Sequence, residues 1–324
     1  MISLPDFKEK QVLIVRSDWK TPSHLAIYND NIVFKQNGKV INRISLHKTF
    51  AVFVCGDLTL TTAFFKKAKE HGISIFLLRH NLEMYAGLAT TAEGHYVLRM
   101  RQYDMSPENE LQMAKRLVAN KIKSQTSLLL RRSTGEAREM FRSRLACALQ
   151  SIDRVETAEE LRGIEGNYAR EYFAEHFSKV AWRRRAPRTK EDINNLLLDL
   201  GYTMLFNFVD SILRLHGFDT YKGFYHKLFF QRRSLACDVM EPLRPIVDAT
   251  VLKMQNLNQV TRDDFKVSQG AFLLPFENYP KCARIFLDAL MAHKEDIFIY
   301  IQSFYRHVMD PARYEFPEFN LHSL

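Results

Sequence analysis

Cysteine is scarce in this sequence and long apolar runs are absent. The 324 residues include four cysteines and no Cys-x-x-Cys pair, which predicts reduced thiols in a cytoplasmic protein and argues against a disulfide scaffold or structural zinc. No apolar stretch approaches the roughly 18 residues that a membrane helix needs. Charged residues interrupt the first 20 positions, where a signal peptide would need an apolar core. We therefore expect a cytoplasmic protein with no membrane partner.

Glycine-rich phosphate loops are also missing after the candidate strands, so nucleotide-hydrolysing folds have no support. The remaining composition, 46% hydrophobic and 26% charged, is ordinary for a globular protein. The chain is about twice the usual domain length, which favours two domains. A net charge of +9 suits a nucleic-acid partner but is not extreme. Whether the basic residues cluster therefore distinguishes a DNA-binding protein from a soluble enzyme that is merely basic.

Residues 1–88 have the period and composition of short strands. Runs rich in Val, Ile, Phe and Tyr alternate with turn residues, and Asn37-Gly38 between two runs predicts a hairpin. One helix, about 59–70, interrupts the pattern. The predicted strands are 12–15, 25–28, 31–34, 40–44, 51–55 and 73–78.

A helical period begins near Pro107 and continues through most of the remaining chain. Helices are predicted from Glu108 to about 132, from Thr157 onward, from Thr189 to His216, and later over 251–256 and 281–308. The third of these helices has a wide apolar stripe, which predicts that it is central in the fold. With strands first, helices later and no βαβ alternation, we expect an α+β protein. Its domains are a β-rich domain at 1–88, a linker at 89–106 and an all-helical domain at 107–324, whose tail from residue 310 is extended or loosely attached.

Glu165 lies between two glycines inside a predicted helix. Gly163 and Gly166 each cost a helix interior roughly 1 kcal/mol relative to alanine, and Glu165 borders the inward stripe. One interpretation is that a ligand must approach the backbone closely at this point. The alternative is tight helix–helix packing, with Glu165 as a solvated edge residue.

Two further segments contain candidate ligands. His226 follows an aromatic loop, where a lone histidine is often structural. Asp238 and Glu241 share one helix face, with Arg244 as a neutralising partner. A helix that continued through Pro242 would loosen at these acidic residues, whereas a helix that begins near Glu241 would place the proline in its permissive first turn.

These groups together suit a hard divalent cation. Two carboxylates and an imidazole, with another carboxylate nearby, can bind Mg²⁺ or Mn²⁺. The sequence also carries the stretches LRGIEGNYAREYF (161–173), NNLLLDLGYTMLF (194–206), GFYHK (223–227) and SLACDVMEPLRPIVD (234–248). In order and spacing, they resemble the metal-dependent integrase of CRISPR spacer acquisition, also described as the CRISPR-associated adaptation endonuclease.

The resemblance implies a role for each candidate residue. Glu165, His226 and Glu241 correspond to the family's metal ligands, and Asp238 to a supporting acidic group or occasional ligand. Arg244 corresponds to a basic residue that would meet a phosphate. The resemblance further implies homodimers, bridged by a small ferredoxin-like companion subunit, that join the 3′ hydroxyls of short DNA duplexes to a CRISPR repeat.

Basic residues cluster between the glutamate and histidine motifs. The run 179–190 has six basic residues and no acidic one. A further basic pair, Arg232-Arg233, lies between His226 and Asp238. We expect these side chains to contact DNA phosphates, although solvated loops are the alternative. The predicted DNA-binding residues are Arg183, Arg184, Arg185, Arg188, Arg232, Arg233 and Arg244.

Two other functions stay open at this stage. A metal-dependent nuclease that acts on branched DNA in repair would use the same residues without a CRISPR array. A catalytically silent DNA-binding scaffold would need the basic clusters alone. The complete set of Glu165, His226 and Glu241 argues against the scaffold, because a scaffold has no need to keep metal ligands.

Overall fold

The computed structural model describes residues 10–17, 20–79, 84–88, 94–226, 230–275 and 277–321. The chain forms two compact units: Met1–Met100 with Asp210–Asp219, and Arg101–Val209 with Thr220–Leu324. A strand-rich region is followed by a helical one, which confirms the predicted α+β class.

The first unit is built from strands and one helix between them. The elements are β1 (Gln11–Ser17), β2 (Ser23–Tyr28), β3 (Asn31–Gln36), β4 (Lys39–Ser45), β5 (Thr49–Gly56), β6 (Thr59–Leu60), α1 (Thr62–Glu70), β7 (Ser74–Leu78) and β8 (Met84–Leu88). They form two four-stranded sheets, ordered β1-β5-β7-β8 and β4-β3-β2-β6. Their apolar faces share a core with α1, whose first turn is capped by the Thr61 hydroxyl accepting from Phe64 N. Asn37 and Gly38, both with positive φ, form the predicted hairpin turn between β3 and β4.

The expectation of no βαβ alternation was wrong. Strand β5 pairs in parallel with both β1 and β7, and α1 lies between β5 and β7 in the chain. Parallel neighbours need a crossover connection because a tight turn can join only antiparallel strands. The single helix that interrupts the strand pattern provides this crossover.

The remaining elements are helical except for one short hairpin. They are α2 (Tyr96–Tyr103), α3 (Pro107–Arg131), α4 (Gly135–Asp153), α5 (Ala158–His176), α6 (Ile193–His216), α7 (Ser234–Met240), α8 (Arg244–Asn256), β9 (Lys266–Ser268), β10 (Ala271–Leu273), α9 (Tyr279–Ala292) and α10 (Lys294–Met309). Part of the predicted linker is therefore helical, since α2 lies within it. The sequence prediction missed α4. It also began α6 too early, because Asp192 caps this helix by accepting from Asn195 N at 2.7 Å.

Helix α6 is central, as its apolar stripe predicts. At Gly201, an added Cβ would lie 2.5 Å from Val247 Cγ1 and 2.6 Å from Phe286 Cε1, so only glycine permits the close approach of α8 and α9. By length and composition α6 could cross a membrane, but 83% of its apolar window is buried inside the fold. That burial is typical of a core helix.

The C-terminal tail is extended but firmly attached to α3. Asn120 donates from Nδ2 to the Phe319 carbonyl at 2.9 Å and accepts from Phe319 N at 2.8 Å. Phe316, Phe319 and Leu321 are buried. The expectation of loose attachment was therefore wrong, because apolar tail residues reach the core of the second unit.

Candidate metal and DNA site

Glu165 lies on α5, which begins after Thr157; the Thr157 hydroxyl accepts from Glu160 N at 3.2 Å. Gly163 and Gly166 are exposed, and a Cβ added at either would meet no atom within 4 Å. Tight helix–helix packing therefore does not explain these glycines. The Glu165 side chain is only 15% exposed, so its carboxylate is largely buried although the two glycines beside it are open to solvent.

Glu241 lies where the helix is interrupted. Helix α7 ends at Met240, Glu241–Leu243 form a 3₁₀ turn, and α8 begins at Arg244. Pro242 lacks the N–H that would bond the Asp238 carbonyl in a regular helix. The chain stays helical, but at Glu241 it tightens into a 3₁₀ turn instead of loosening, because the Asp238 carbonyl accepts from Glu241 N.

Asp238 holds the loop that carries His226. Its fully buried carboxylate accepts from the backbone N–H groups of Phe224 (2.8 Å), Tyr225 (3.0 Å) and His226 (2.9 Å). Gly223 makes this close approach possible, because a Cβ there would lie 2.6 Å from Asp238 Oδ2. Asp238 therefore fixes the backbone of the loop that precedes and includes His226.

The same carboxylate orients the imidazole. His226 Nδ1 lies 2.5 Å from Asp238 Oδ1. With the ring proton on Nδ1, the lone pair is on Nε2. Metal-binding histidines are commonly oriented in this way, by a carboxylate that receives the N–H of the other ring nitrogen. Asp238 and His226 thus have the chemistry of a ligand with its supporting group.

Lys121, on α3, joins the two glutamates. Its Nζ lies 2.5 Å from Glu165 Oε1 and 2.7 Å from Glu241 Oε2. The outer oxygens also have partners, because the Tyr225 hydroxyl donates to Glu165 Oε2 at 2.6 Å and Arg244 Nη2 lies 2.9 Å from Glu241 Oε1. The structure therefore brings Glu165 and Glu241 together around a single ammonium group.

Sequence reasoning missed Lys121 and Tyr225. A signal for Lys121 was present, since it stands among the buried apolar positions Leu117, Val118 and Ile122 of α3. A buried lysine needs a counter-charge, and Glu165 and Glu241 provide two. Nothing in the sequence distinguishes Tyr225 from the other aromatic residues of its loop.

The local charges set the ionisation of the site. Burial acts to raise the pKa of Glu241, but Arg244 and Lys121 outweigh it and lower that pKa to about 2. Burial acts in the opposite direction on Lys121, and the two glutamates still raise its pKa. Burial and Glu165 raise the pKa of the Tyr225 hydroxyl well above its ordinary value. Glu241 is therefore a carboxylate, and Lys121 an ammonium, at neutral pH.

The donor set fits a hard divalent cation. Within the described ranges, no three His, Cys, Asp or Glu side chains already converge on one point. A positive charge nevertheless lies between Glu165 and Glu241, where the Lys121 ammonium stands in for an ion. Carboxylate oxygens and an oriented imidazole are ligands that Mg²⁺ and Mn²⁺ accept.

The predicted DNA-binding arginines separate into exposed and internal groups. Arg185 is internal, since its Nη2 lies 2.5 Å from Asp199 Oδ1 and its Nη1 donates to Asn195 Oδ1. Arg244 is committed to Glu241. Arg183, Arg184, Arg188 and Arg232 are exposed and Arg233 is half-buried, although Arg184 pairs with Glu191 at 3.2 Å.

Comparisons with known proteins identify a family. The model of the family described as "CRISPR associated protein Cas1" matches residues 19–285. CRISPR-associated endonuclease Cas1 3 of Thermus thermophilus is 34% identical over 240 residues, covering 72% of this chain and 71% of its own length. CRISPR-associated endonuclease Cas1 2 of Rhodospirillum rubrum is 31% identical over 268 residues, covering 76% and 78%.

Solved structures share the fold. A casposase bound to an integration product superimposes with a TM-score of 0.77 at 17% identity, covering 97% of this chain and 96% of that one. A Cas1 protein from Thermotoga maritima also gives 0.77, at 19% identity, covering 93% and 97%. The family model spans most of the sequence, including all the candidate ligands. This chain therefore belongs to the Cas1 family of CRISPR-associated proteins.

Proposed function

We propose that this chain is a metal-dependent DNA integrase that inserts short DNA fragments into a CRISPR array. One observation carries the proposal: Glu165 and Glu241 converge on one positive charge, and Tyr225, which precedes His226 in the chain, donates to Glu165 while Asp238 orients the His226 ring. The chain's membership of a family with endonuclease relatives is consistent with phosphodiester chemistry. The integration product bound to the structurally similar casposase supports joining as well as cleavage.

Glu165, Glu241 and Nε2 of His226 would hold Mg²⁺ or Mn²⁺. When bound, such an ion polarises the scissile phosphodiester and steadies the leaving oxygen. The protein itself then has to orient its ligands and position the DNA, and no Ser, Cys or Lys nucleophile is required. Asp238 fixes the His226 ring, and Tyr225 fixes one oxygen of Glu165 by its hydrogen bond.

Exposed groups around the site offer a path for DNA. The helix face at Gly163 and Gly166 is open, since a Cβ at either position would meet no atom within 4 Å, and this face would receive the phosphodiester backbone. Arg183 and Arg188 are exposed on the basic run and suit phosphate contacts, which position DNA without reading its sequence. Arg185 and Arg244 would act from within the fold, through Asp199 and Glu241.

The partners follow from the same proposal. Two structurally similar proteins were solved as parts of Cas6-RT-Cas1–Cas2 complexes, one with a TM-score of 0.75. We infer that this chain also works with a partner protein, as a homodimer with a small ferredoxin-like companion. The companion would hold two dimers at the spacing that two DNA ends require.

The decisive experiment distinguishes joining from cutting. A labelled short duplex with 3′ hydroxyls is incubated with a supercoiled plasmid carrying the repeat array, the companion subunit and Mn²⁺ or Mg²⁺. We expect label in a covalent, nicked plasmid, and none when the duplex ends are 3′-deoxy. Equal nicking with blocked ends, and no label uptake, would replace the integrase by the repair nuclease.

Site variants localise the chemistry. Glu165→Gln should abolish joining, whereas Glu171→Gln, an exposed glutamate on the same helix, should not. A folded Glu165→Gln protein that joins normally would refute the site. His226→Ala should also abolish joining, while Asp238→Asn should reduce it less than Glu241→Gln does.

DNA binding has its own test. Replacing Arg183 and Arg188 by Ala should weaken binding to unrelated sequences equally, and should reduce the slope of log affinity against log salt by up to about 0.9 for each phosphate that is no longer neutralised. Arg185→Ala should instead lower stability, because Asp199 would lose its charged partner and keep only the hydrogen bond from Arg188 N. An unchanged salt slope in the double variant would assign the run to a solvated loop.

A further inference from the structure

Lys121 stands in the space that an ion would need. Its Nζ lies 2.5 Å from Glu165 Oε1 and 2.7 Å from Glu241 Oε2. Magnesium binds oxygen ligands at about 2.0–2.1 Å. An ion held by the same two oxygens would therefore overlap the ammonium, and the two cannot occupy this gap together.

The other carboxylate oxygens offer no equivalent position. Glu165 Oε2 accepts from the Tyr225 hydroxyl at 2.6 Å, and Glu241 Oε1 pairs with Arg244 at 2.9 Å. The two oxygens that converge on one point are those bound to Lys121. An ion that bridges the glutamates with the least rearrangement would thus replace Lys121 and leave Tyr225 and Arg244 in place.

The surroundings make this ammonium a necessary counter-charge. The side chains of Lys121, Glu165 and Glu241 are 11%, 15% and 3% exposed. Two carboxylates so close together in a largely dry pocket repel each other unless a cation lies between them. Arg244 pairs with the outer oxygen of Glu241, and among the residues that the structure describes Lys121 is the cation that pairs with both glutamates.

We propose that Lys121 is a built-in competitor of the metal: it holds Glu165 and Glu241 in position before the ion binds and must leave when the ion arrives. The inference rests on the proposed metal-dependent function and adds a positioning residue to it. It has two opposite consequences. Lys121 stabilises the metal-free protein, and it lowers the affinity for the ion by the free energy needed to displace the ammonium.

The test measures Mn²⁺ binding directly, from the electron paramagnetic resonance signal of free Mn²⁺, on the full-length protein without DNA. Lys121→Met removes the competing charge, and Lys121→Gln is a second neutral variant that keeps a polar head group if the first does not fold. Lys123→Met is the matched control, because Lys123 lies on the same helix and pairs with Glu318 outside the site. Thermal unfolding with and without Mn²⁺ is recorded for each protein.

We expect either neutral variant to bind Mn²⁺ more tightly than the wild type, on the order of tenfold or more, and Lys123→Met to match the wild type. Without metal, the neutral variants should unfold at lower temperature, and Mn²⁺ should raise that temperature by more than in the wild type. Lys121→Arg should retain the weaker, wild-type-like affinity, because it restores the charge.

Unchanged or weaker Mn²⁺ binding in folded Lys121→Met or Lys121→Gln would overturn the inference. It would leave the proposed function intact if Glu165→Gln and Glu241→Gln still abolish binding. If the Glu165→Gln and Glu241→Gln proteins instead bind Mn²⁺ as tightly as the wild type does, the proposed metal site is refuted.

Discussion

Two buried carboxylates, seven residues apart in the chain, have opposite surroundings. Glu241 is paired with the cations Lys121 and Arg244. Asp248, on α8, accepts hydrogen bonds from the hydroxyls of Tyr172 and Tyr202. Both carboxylates are almost fully buried, so burial alone does not distinguish them.

The difference appears in their pKa values. Cationic neighbours outweigh burial at Glu241 and lower its pKa to about 2. At Asp248 burial dominates, and hydrogen bonds from two neutral hydroxyls offset it only in part, so the pKa rises to about 6. Cationic neighbours thus keep Glu241 charged, whereas the hydroxyls of Tyr172 and Tyr202 satisfy Asp248 and tie three helices together.

The largest expected difference between the two residues is in activity. Glu241→Gln should reduce DNA joining at least 100-fold, because metal-assisted stabilisation of a transition state is worth several kcal/mol. Asp248→Asn should change the rate less than about tenfold, since Asp248 accepts from the hydroxyls of Tyr172 and Tyr202 and is not a candidate ligand. Initial rates of label uptake, at a temperature where both variants are folded, measure the difference. Equal reductions would mean that Asp248 also belongs to the catalytic machinery.

The second expected effect is on stability, and it concerns Asp248. Asp248→Ala leaves the Tyr172 and Tyr202 hydroxyls buried without an acceptor, and each such unsatisfied group costs about 1–3 kcal/mol. We expect the free energy of unfolding in urea to fall by about 3 kcal/mol. As a control, an alanine at the exposed Glu139, which pairs with Arg142, should change it by less than about 1 kcal/mol. A small effect at Asp248 would show that water replaces the carboxylate.

The pH dependence of stability should have opposite signs at the two sites. The Glu241 contribution is present above about pH 4.5 and is lost as pH falls toward 2, because its folded pKa is depressed. The Asp248 contribution is present below about pH 3.8 and is lost as pH rises through 6, because its folded pKa is raised. Asp248→Asn should therefore gain stability relative to the wild type between pH 4 and 6. A constant difference across that window would contradict the raised pKa.

The smallest predicted effect concerns Tyr202, which contacts both Asp248 and Arg244. The Tyr202 hydroxyl bonds Asp248, and Arg244 lies over the Tyr202 ring, 4.6 Å from its centroid. Tyr202→Phe keeps the ring, so we expect a stability decrease of about 1 kcal/mol and activity within threefold of the wild type. Tyr202→Leu also removes the cation–π interaction and should reduce joining further. Equal activities of these two variants would exclude a role for the ring in holding Arg244.

The sequence anticipated the fold class for identifiable reasons. Short strand runs separated by turn residues, and apolar helical stripes later in the chain, are local patterns. They predicted the hairpin at Asn37-Gly38 and the central helix that ends at His216. The parallel sheet was missed because strand pairing is a long-range property: nothing local shows that β1 lies beside β5. Helix α4 was missed because only Phe141 and Ile152 are buried in it, which leaves almost no apolar stripe.

The candidate site was anticipated in the same uneven way. Proline at 242 predicted a change in the helix at Glu241, and the glycines beside Glu165 indicated a close approach. Spacing could not show that Arg185 turns inward to Asp199 while Arg183 remains exposed, because both belong to one basic run. The direction in which a side chain of a loop points depends on where its partners lie after folding.

The sequence by itself determined which chemical groups the candidate site offers: two carboxylates and an imidazole, in motifs that fit no nucleotide-hydrolysing or zinc-binding pattern. Only the tertiary structure decided how these groups are compensated. Lys121 is 44 residues from Glu165 in the chain and lies on another helix, and Tyr225 is 60 residues away from the same glutamate. Electrostatic interactions depend on distance in space and on burial, and both are set by the packing of α3 against α5 and the 3₁₀ turn, which no local pattern encodes.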